Sequence, residues 1–371
     1  MNVFVKLFTE LNLGDDLFLK ILLERYPNSN FLLNARVEYA HLFAKYKNLK
    51  IKDDLYVKKY RGLQYRIISN IERRLFPSLY QKRIQNDIIQ QYSEDFQKSD
   101  VFVSIGGSIF MQPAKLPYYT DVEYYNIVNK MFDKVLYIGC NFGPFSDITY
   151  KDSYKKIFSK ALDVCFREEA SWRLFNDIEQ VRYRPDVVFG LEFPKSEKRN
   201  KSVGFSIISA REKMDNDSYI KKYVELVEYY QNIGYEIFFF SFCKKQGDEK
   251  VIEEIIDYLR DKRKINTVFY NGDIDKFLKV YSSVEKVYCG RFHSMILSMI
   301  FEQKIYPIPY SKKMINVLDD IKYRGEYLNI QDFCLANPRE LDIQISKNFY
   351  EVREQINQSK EQFEKLDILL K

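Results

Sequence analysis

The chain has 371 residues, 46% apolar and 30% charged, with a formal net charge of +6. That length suggests two domains, each large enough for its own core, and the composition excludes a disordered or fibrous chain. With no run approaching 18 uncharged apolar residues and no basic stretch followed by an apolar run at the N-terminus, neither a membrane span nor a signal peptide is expected.

The cytoplasm is therefore the expected compartment. The 30 Tyr and 29 Phe are most simply an effect of genome composition and are given no functional weight. Five cysteines (Cys140, Cys165, Cys243, Cys289, Cys334) are odd in number, scattered and never spaced C-x-x-C. This argues against a disulfide framework and against a zinc or iron–sulfur centre; no metal is expected, and with no cofactor fingerprint in the chain no cofactor is expected either.

The first expected strand covers 2–8 and the first helix 15–26. Between them, Asn12-Leu13-Gly14-Asp15 puts a turn glycine after the strand and an aspartate at the helix start. Simple N-capping explains the pattern, and so does a sheet edge that receives a ligand. Residues 45–83 then hold twelve Lys or Arg against three Asp or Glu, a balance of +9, which leaves −3 for the rest of the chain. Tyrosines are interleaved there, and Leu63, Ile67, Ile71 and Leu75 recur every four residues as on one helix face. Two readings stay open: a solvated helix packed on its domain, or a surface for an acidic partner. Among acidic partners a membrane leaflet or a lipid-linked diphosphate precedes nucleic acid, for which no motif is present.

A strand over 100–105 ends in Gly106-Gly107-Ser108, and a strand over 134–139 in Asn141-Phe142-Gly143-Pro144. Glycines at such ends let backbone approach a ligand, although each is weak evidence alone. Neither is a G-x-G-x-x-G fingerprint, and no P-loop is present, so nicotinamide and nucleoside-triphosphate chemistry lose their usual signals. A short strand over 163–166 runs into a helix over 168–175, with Arg167 and Ser171 at the junction. Asp186, after Pro185, reads equally as a turn residue or a site carboxylate.

A polar linker, 194–201, precedes a second alternating series. Its strands are expected over 202–208, 235–242, 266–270 and 285–289, and its helices over 217–233, 248–260 and 273–281. Then Cys289-Gly290-Arg291-Phe292-His293-Ser294 places one of only two histidines and an arginine at a strand's C-terminal edge, where an apolar helix begins. That edge is where open α/β sheets bind ligands, and a helix N-terminus favours anions. After a strand over 304–308, Tyr310-Ser311-Lys312-Lys313 adds cationic groups to the same edge. The alternation predicts an α/β protein of two Rossmann-like domains with mainly parallel sheets and a cleft between them. The expected domains are 1–195, carrying the basic insertion on the acceptor side, and 196–345 on the donor side. A long C-terminal helix, able to cross back to the first domain, is expected in 346–371.

Taken in order, these motifs resemble the polysaccharide pyruvyl transferase family. The resemblance runs from Asn12-Leu13-Gly14-Asp15 through Gly106-Gly107, Gly139 to Pro144, Arg167-Glu168-x-x-Ser171, Pro185-Asp186, Val203 to Ser206 and Gly247-Asp248. It continues through Arg291-Phe292-His293 to Pro307 to Lys312, about residues 1–325. Ser108 departs from the family's usual third glycine, and the basic stretch matches no family motif, which leaves the acceptor open.

The resemblance implies a GT-B-like fold and transfer of a pyruvyl group from phosphoenolpyruvate, as co-substrate, to sugar hydroxyls as a ketal in exopolysaccharide or capsule biosynthesis. It implies catalytic roles for His293, Arg291 and Arg167, and donor binding by Ser171, Asn141, Gly143, Gly290, Ser294, Tyr310 and Lys312. Asn12, Gly14, Asp15, Gly106, Gly107 and Asp186 are expected around them. The residue types suit the donor: a guanidinium holds a phosphate or carboxylate in bidentate fashion, and histidine serves as acid and base near neutral pH. A helix N-terminus alone would lower the pKa of His293, whereas a bound trianion would raise it. The acceptor is left open as a free or lipid-linked saccharide, with peripheral contact at the inner face of an anionic plasma membrane as a further expectation. A GT-B-type glycosyltransferase using a nucleotide sugar is the main alternative. A flavin or deazaflavin oxidoreductase and a non-catalytic membrane-associated assembly factor are the others. Oligomeric state is left open.

Overall fold

Short runs of Val, Ile, Leu, Phe and Tyr, bounded by polar or glycine residues, are buried on both faces and so pair as parallel strands under helices. The structure is a computed structural model describing residues 1–53, 63–112, 119–210 and 214–371, apart from the side chains of Asp53, Leu63 and Arg66. The middle of the basic stretch, with Lys58, Lys59 and Arg61, lies outside the described residues. The chain forms two compact units. One comprises Met1–Thr9, Phe18–Val187 and Lys360–Lys371, and the other Glu10–Leu17 and Val188–Ser359.

In the first unit the strands are β1 (Asn2–Lys6), β2 (Asn30–Ala35), β3 (Leu49–Asp53), β4 (Val101–Ile105), β5 (Val135–Cys140), β6 (Asp163–Phe166) and β7 (Val181–Tyr183). They form one sheet in the order β3-β2-β1-β4-β5-β6-β7, each neighbouring pair parallel. Helix α1 (Leu13–Arg25) follows β1, α2 (Glu38–Leu42) follows β2, and α3 (Leu63–Leu75) and α4 (Pro77–Gln97) follow β3. Next come α5 (Thr120–Met131), α6 (Ile148–Phe158) and α7 (Glu169–Arg173). The core on one side of the sheet is largely aromatic: Phe4, Tyr92, Phe96, Phe102, Tyr125, Tyr137, Tyr154 and Phe158 are all in it. Edge-to-face pairs such as Phe4–Phe96 (4.9 Å) and Tyr125–Tyr137 (5.3 Å) fill it, each worth about 0.5–1.5 kcal/mol beyond area burial.

The second unit has β8 (Ser202–Ser206), β9 (Glu236–Ser241), β10 (Ile265–Phe269), β11 (Lys286–Cys289) and β12 (Lys304–Pro307) in the order β10-β9-β8-β11-β12, again parallel throughout. Its helices are α8 (Asn216–Asn232), α9 (Asp248–Tyr258), α10 (Ile274–Tyr281), α11 (Phe292–Ile300), α12 (Lys312–Asp320), α13 (Ile330–Leu335) and α14 (Pro338–Lys347). The chain ends with α15 (Arg353–Ser359), a 3₁₀ turn (Lys360–Phe363) and α16 (Glu364–Leu370).

Both doubly wound sheets agree with the alternation in the sequence, but β2, β3 and β7 were not foreseen. Asparagines flank the three apolar residues of β2, lysines alternate through β3, and β7 is three residues long, so none reads as a long buried run. The C-terminal helix is also shorter than expected. A single helix over 346–370 is broken because Asn348 leaves the helix and its side chain donates to the carbonyls of Ile305 and Glu326 (2.8 and 2.9 Å). What remains is an 18-residue helical stretch from Arg353 to Leu370, including the 3₁₀ turn.

Candidate active site

Two clusters of expected residues form, one in each unit. In the second unit, β11 ends at Cys289 and Gly290 turns the chain into α11. A Cβ at Gly290 would lie 2.3 Å from the carbonyl oxygen of Ser206, so only glycine lets β8 and this turn approach so closely. Ser294 stabilises the turn: its hydroxyl donates to the Arg291 carbonyl (2.7 Å) and accepts from the Arg291 N–H (3.3 Å). Arg291 is the N-cap, and Ser294 at N3 reaches back to its N–H as the N3 residue of a capping box does.

Arg291, whose side chain is 11% exposed, is fixed by acceptors from the neighbouring strand end. Its Nε donates to Asp248 Oδ2 (3.1 Å), Nη2 to Asp248 Oδ1, and Nη1 to Gln246 Oε1. Asp248 is fully buried and also accepts from the backbone N–H groups of Phe242 (3.0 Å) and Cys243 (3.1 Å). Burial pushes the Asp248 carboxyl upward, against the pull of Arg291 and those two N–H donors. Burial also disfavours the Arg291 cation, but Asp248 outweighs it and raises the guanidinium above its ordinary value. The pair is thus a charged clamp held in place. Asp248 and Gln246 use Nε, Nη1 and Nη2 once each, so each terminal nitrogen keeps one N–H for an oxygen of a ligand.

His293 belongs to the same unit as the Asn12-Leu13-Gly14 turn. A Cβ on Gly14 would lie 1.8 Å from Nδ1 and 2.5 Å from Cε1 of His293, so the imidazole rests directly on the backbone at the start of α1. The turn itself is shaped by Asn12, whose Oδ1 accepts from Gly14 N–H (3.1 Å). The N–H of Leu13 donates to the Phe242 carbonyl at the end of β9 (3.0 Å). Three motifs far apart in the sequence thereby form one constellation of Gly14, His293, Arg291 and Asp248. Asp15 lies in the first turn of α1, and the neighbouring Asp16 accepts from the Tyr270 hydroxyl (2.6 Å). Lys312 is exposed, whereas Lys313 lies 5.8 Å from the Phe292 ring and 5.6 Å from the Tyr310 ring. Of the two lysines that the sequence puts at this edge, Lys313 is the one packed against the Tyr310 ring.

In the first unit, Arg167 is 2% exposed and donates through Nη1 to the fully buried Asp186 (2.8 Å) and through Nη2 to Asn141 Oδ1 (2.8 Å). A Cβ on Gly107 would lie 2.3 Å from Arg167 Nη1, so this glycine, like Gly14, makes room for a charged side chain. Asn141 is placed by its N–H, which donates to the Gly107 carbonyl (2.9 Å), and a bulge in the β5–β6 pairing at Gly139 (φ +68°) sets the strand end. Gly106 and Gly143 have φ of +128° and +98° and shape the same two loops. Ser171 is buried, accepting from the Phe142 N–H (2.8 Å) and donating to Glu168 (2.7 Å), which is scaffold chemistry. Gln362, unnoticed in the sequence, is fully buried; it accepts from the Gly139 N–H (3.0 Å) and donates to the Arg184 carbonyl (2.7 Å).

Among the described residues, no group of three or more His, Cys, Asp or Glu is arranged to hold a metal ion, and no helix is long and apolar enough to cross a membrane. All five cysteines are unpaired thiols. The other histidine, His41, is exposed on α2.

The family model described as polysaccharide pyruvyl transferase matches residues 12–312. No curated protein matches. Among solved structures, UDP-GlcNAc 2-epimerase from Methanocaldococcus jannaschii is similar with a TM-score of 0.62 and 11% identity, covering 100% of this chain and 99% of that one. The UDP-GlcNAc 2-epimerase from Neisseria meningitidis gives a TM-score of 0.60 at 11% identity, over 99% and 100%. Anabaena Alr3699/HepE in complex with UDP and glucose gives 0.59 at 10% identity, over 100% and 98%. At such identities these likenesses show the fold, which is GT-B-like, and nothing of the chemistry.

Proposed function

This chain belongs to the polysaccharide pyruvyl transferase family, and we propose that it transfers a pyruvyl group from phosphoenolpyruvate to two hydroxyls of a saccharide, forming a ketal and releasing inorganic phosphate. The observation that carries this reading is the constellation in the second unit: a guanidinium fixed by Asp248 and Gln246 beside a histidine seated on Gly14. The remaining N–H groups of Arg291 suit a phosphate or carboxylate oxygen. The start of α11 adds N–H groups and a dipole that favour the same charge.

In the proposed reaction His293 gives a proton to the methylene carbon of the donor, and C2 takes on oxocarbenium character. One sugar hydroxyl bonds to C2 and its proton returns to the imidazole. The C2–O bond to phosphate then breaks, the second hydroxyl closes the ketal, and its proton leaves on the phosphate. Acid–base catalysis of this kind contributes about 10²–10⁴-fold. Arg291 stabilises the charge that shifts onto the leaving phosphate. Within the first unit, Arg167 is held by Asp186 and Asn141 as a fixed cation, a form that suits an anionic group.

Incubation with phosphoenolpyruvate and a panel of free and lipid-linked saccharides tests the reading. The expected result is phosphate release together with a mass gain equal to pyruvate minus water. The structural neighbours include enzymes of UDP-GlcNAc, so nucleotide sugars belong in the same panel. Glycosyl transfer from one of them, with phosphoenolpyruvate left intact, would overturn the proposal.

A further inference from the structure

Helix α3 packs with its polar side inward. Arg83 on α4 donates through Nε to Glu72 (2.7 Å) and through Nη2 to Ser69 (3.1 Å), and its guanidinium lies 4.7 Å from the Tyr65 ring. At about 100° per residue, Tyr65, Ser69 and Glu72 share one side of the helix. Ile67, Ile71 and Leu75 fall on the other, with Ile68 at its margin, and these four are 52%, 50%, 67% and 54% exposed. Phe76 and Leu79, similarly exposed, extend the apolar surface over the start of α4. A surface helix of a globular protein ordinarily does the reverse, and an apolar patch of this extent marks an interaction site.

The charge around the patch selects the partner. From 63 to 83 the chain has five basic residues (Arg66, Arg73, Arg74, Lys82, Arg83) and one acid, Glu72, a balance of +4. That acid is already paired with Arg83, and Arg74 and Lys82 are exposed. A second copy meeting this face across a two-fold axis would set +4 against +4. An anionic leaflet neutralises it instead, and it accepts apolar side chains at the boundary of headgroups and acyl chains. We propose that α3 and the start of α4 form a docking surface for an anionic lipid bilayer. Ile67, Ile71, Leu75 and Phe76 enter the interface, while Arg74 and Lys82 meet lipid phosphates. Apolar insertion and basic charge together supply the two signals that stable membrane anchoring takes.

Co-sedimentation of the full chain tests this with vesicles of phosphatidylcholine alone and of phosphatidylcholine with phosphatidylglycerol. The wild type is expected to pellet with the anionic vesicles at low salt and to be released as the Debye length falls toward about 3 Å at 1 M. The triple variant Ile67→Gln, Ile71→Gln, Leu75→Gln and the double variant Arg74→Gln, Lys82→Gln are each expected to lose about tenfold in partitioning. All five positions are exposed, and unchanged melting curves verify the fold. A wild type that stays in the supernatant at low salt, or variants that bind as it does, overturns the proposal. So does a wild-type dimer, seen by light scattering, that the triple variant converts to monomer, because the face would then join two copies.

Discussion

A single methyl group at Gly14 would overlap Nδ1 of His293, and this makes the glycine a sharp test of the histidine. In a helix, Gly→Ala ordinarily stabilises by about 0.5–1 kcal/mol. Gly14→Ala is expected instead to displace the imidazole and lower the rate by up to about 100-fold, the scale of a 1 Å misplacement. His293→Ala should lose at least about 100-fold while its melting temperature stays unchanged. Near-wild-type turnover in either variant would remove His293 from the chemistry. Arg167 differs, because its partner Asp186 is wholly buried. Arg167→Ala breaks a buried ion pair by removing one partner and should cost about 3–5 kcal/mol of stability in urea unfolding. A loss under about 1 kcal/mol would mean that water or a rearranged partner reaches Asp186 easily. Legibility at this scale is uneven. The Arg-x-His edge and the glycine turn were readable, since strand ends and helix starts have local signals. That His293 lies on Gly14 was not, nor that Asp248 holds Arg291, forty-three residues away, because nothing local encodes a long-range pairing.

Elements that read as mere connections do structural duty in both units. The polar segment after β7 looks like a linker, yet Lys198 donates to the carbonyls of Ser282 (2.7 Å) and Phe301 (2.8 Å). Burial, helped by repulsion from Lys195, lowers its ammonium from the ordinary lysine range to about 8. Between pH 8 and the usual lysine value the unfolded chain then holds more protons than the folded one, so this group makes stability rise with pH across that window. The stability it contributes is present above the unfolded value and lost as pH falls through about 8. Lys198→Met should flatten that rise relative to wild type in urea titrations at pH 7.5, 9 and 10, and parallel curves would show that the amine is solvated. The last helical stretch is similarly committed. Gln362 ties it to Gly139 and Arg184, while Arg25 and Tyr26 bond to Asp367. Gln362→Ala leaves the Gly139 N–H without its acceptor and should cost about 1–3 kcal/mol. A neutral substitution would reduce the segment to a passive cover.

Across the whole chain, the parallel sheets followed from alternating runs, and fold and family were both legible because order and spacing of motifs survive where individual residues vary. The return of the C-terminal stretch to the first unit was legible, since Lys360–Lys371 belongs there; what stayed hidden was that Glu10–Leu17 belongs with a unit far from its place in the sequence. Hydrophobic periodicity marks an element but not its destination. The reaction class, by contrast, is decided by which ligand the folded molecule prefers. A ligand that binds only the native state stabilises by RT ln(1 + [L]/Kd), about 2.7 kcal/mol at a hundredfold excess over Kd. For a unit of this size 1 kcal/mol moves the melting temperature by about 2–4 °C, so phosphoenolpyruvate should raise it by about 5–10 °C. Arg291→Lys keeps a positive charge but loses the planar fork, and the ligand-induced increment should shrink while the ligand-free melting temperature moves less than in Arg291→Ala. The increment, rather than the baseline, separates donor binding from the structural ion pair with Asp248. Stabilisation by a nucleotide sugar with none from phosphoenolpyruvate would transfer the site to glycosyl chemistry, since Arg291 and His293 would then serve a diphosphate on the same fold.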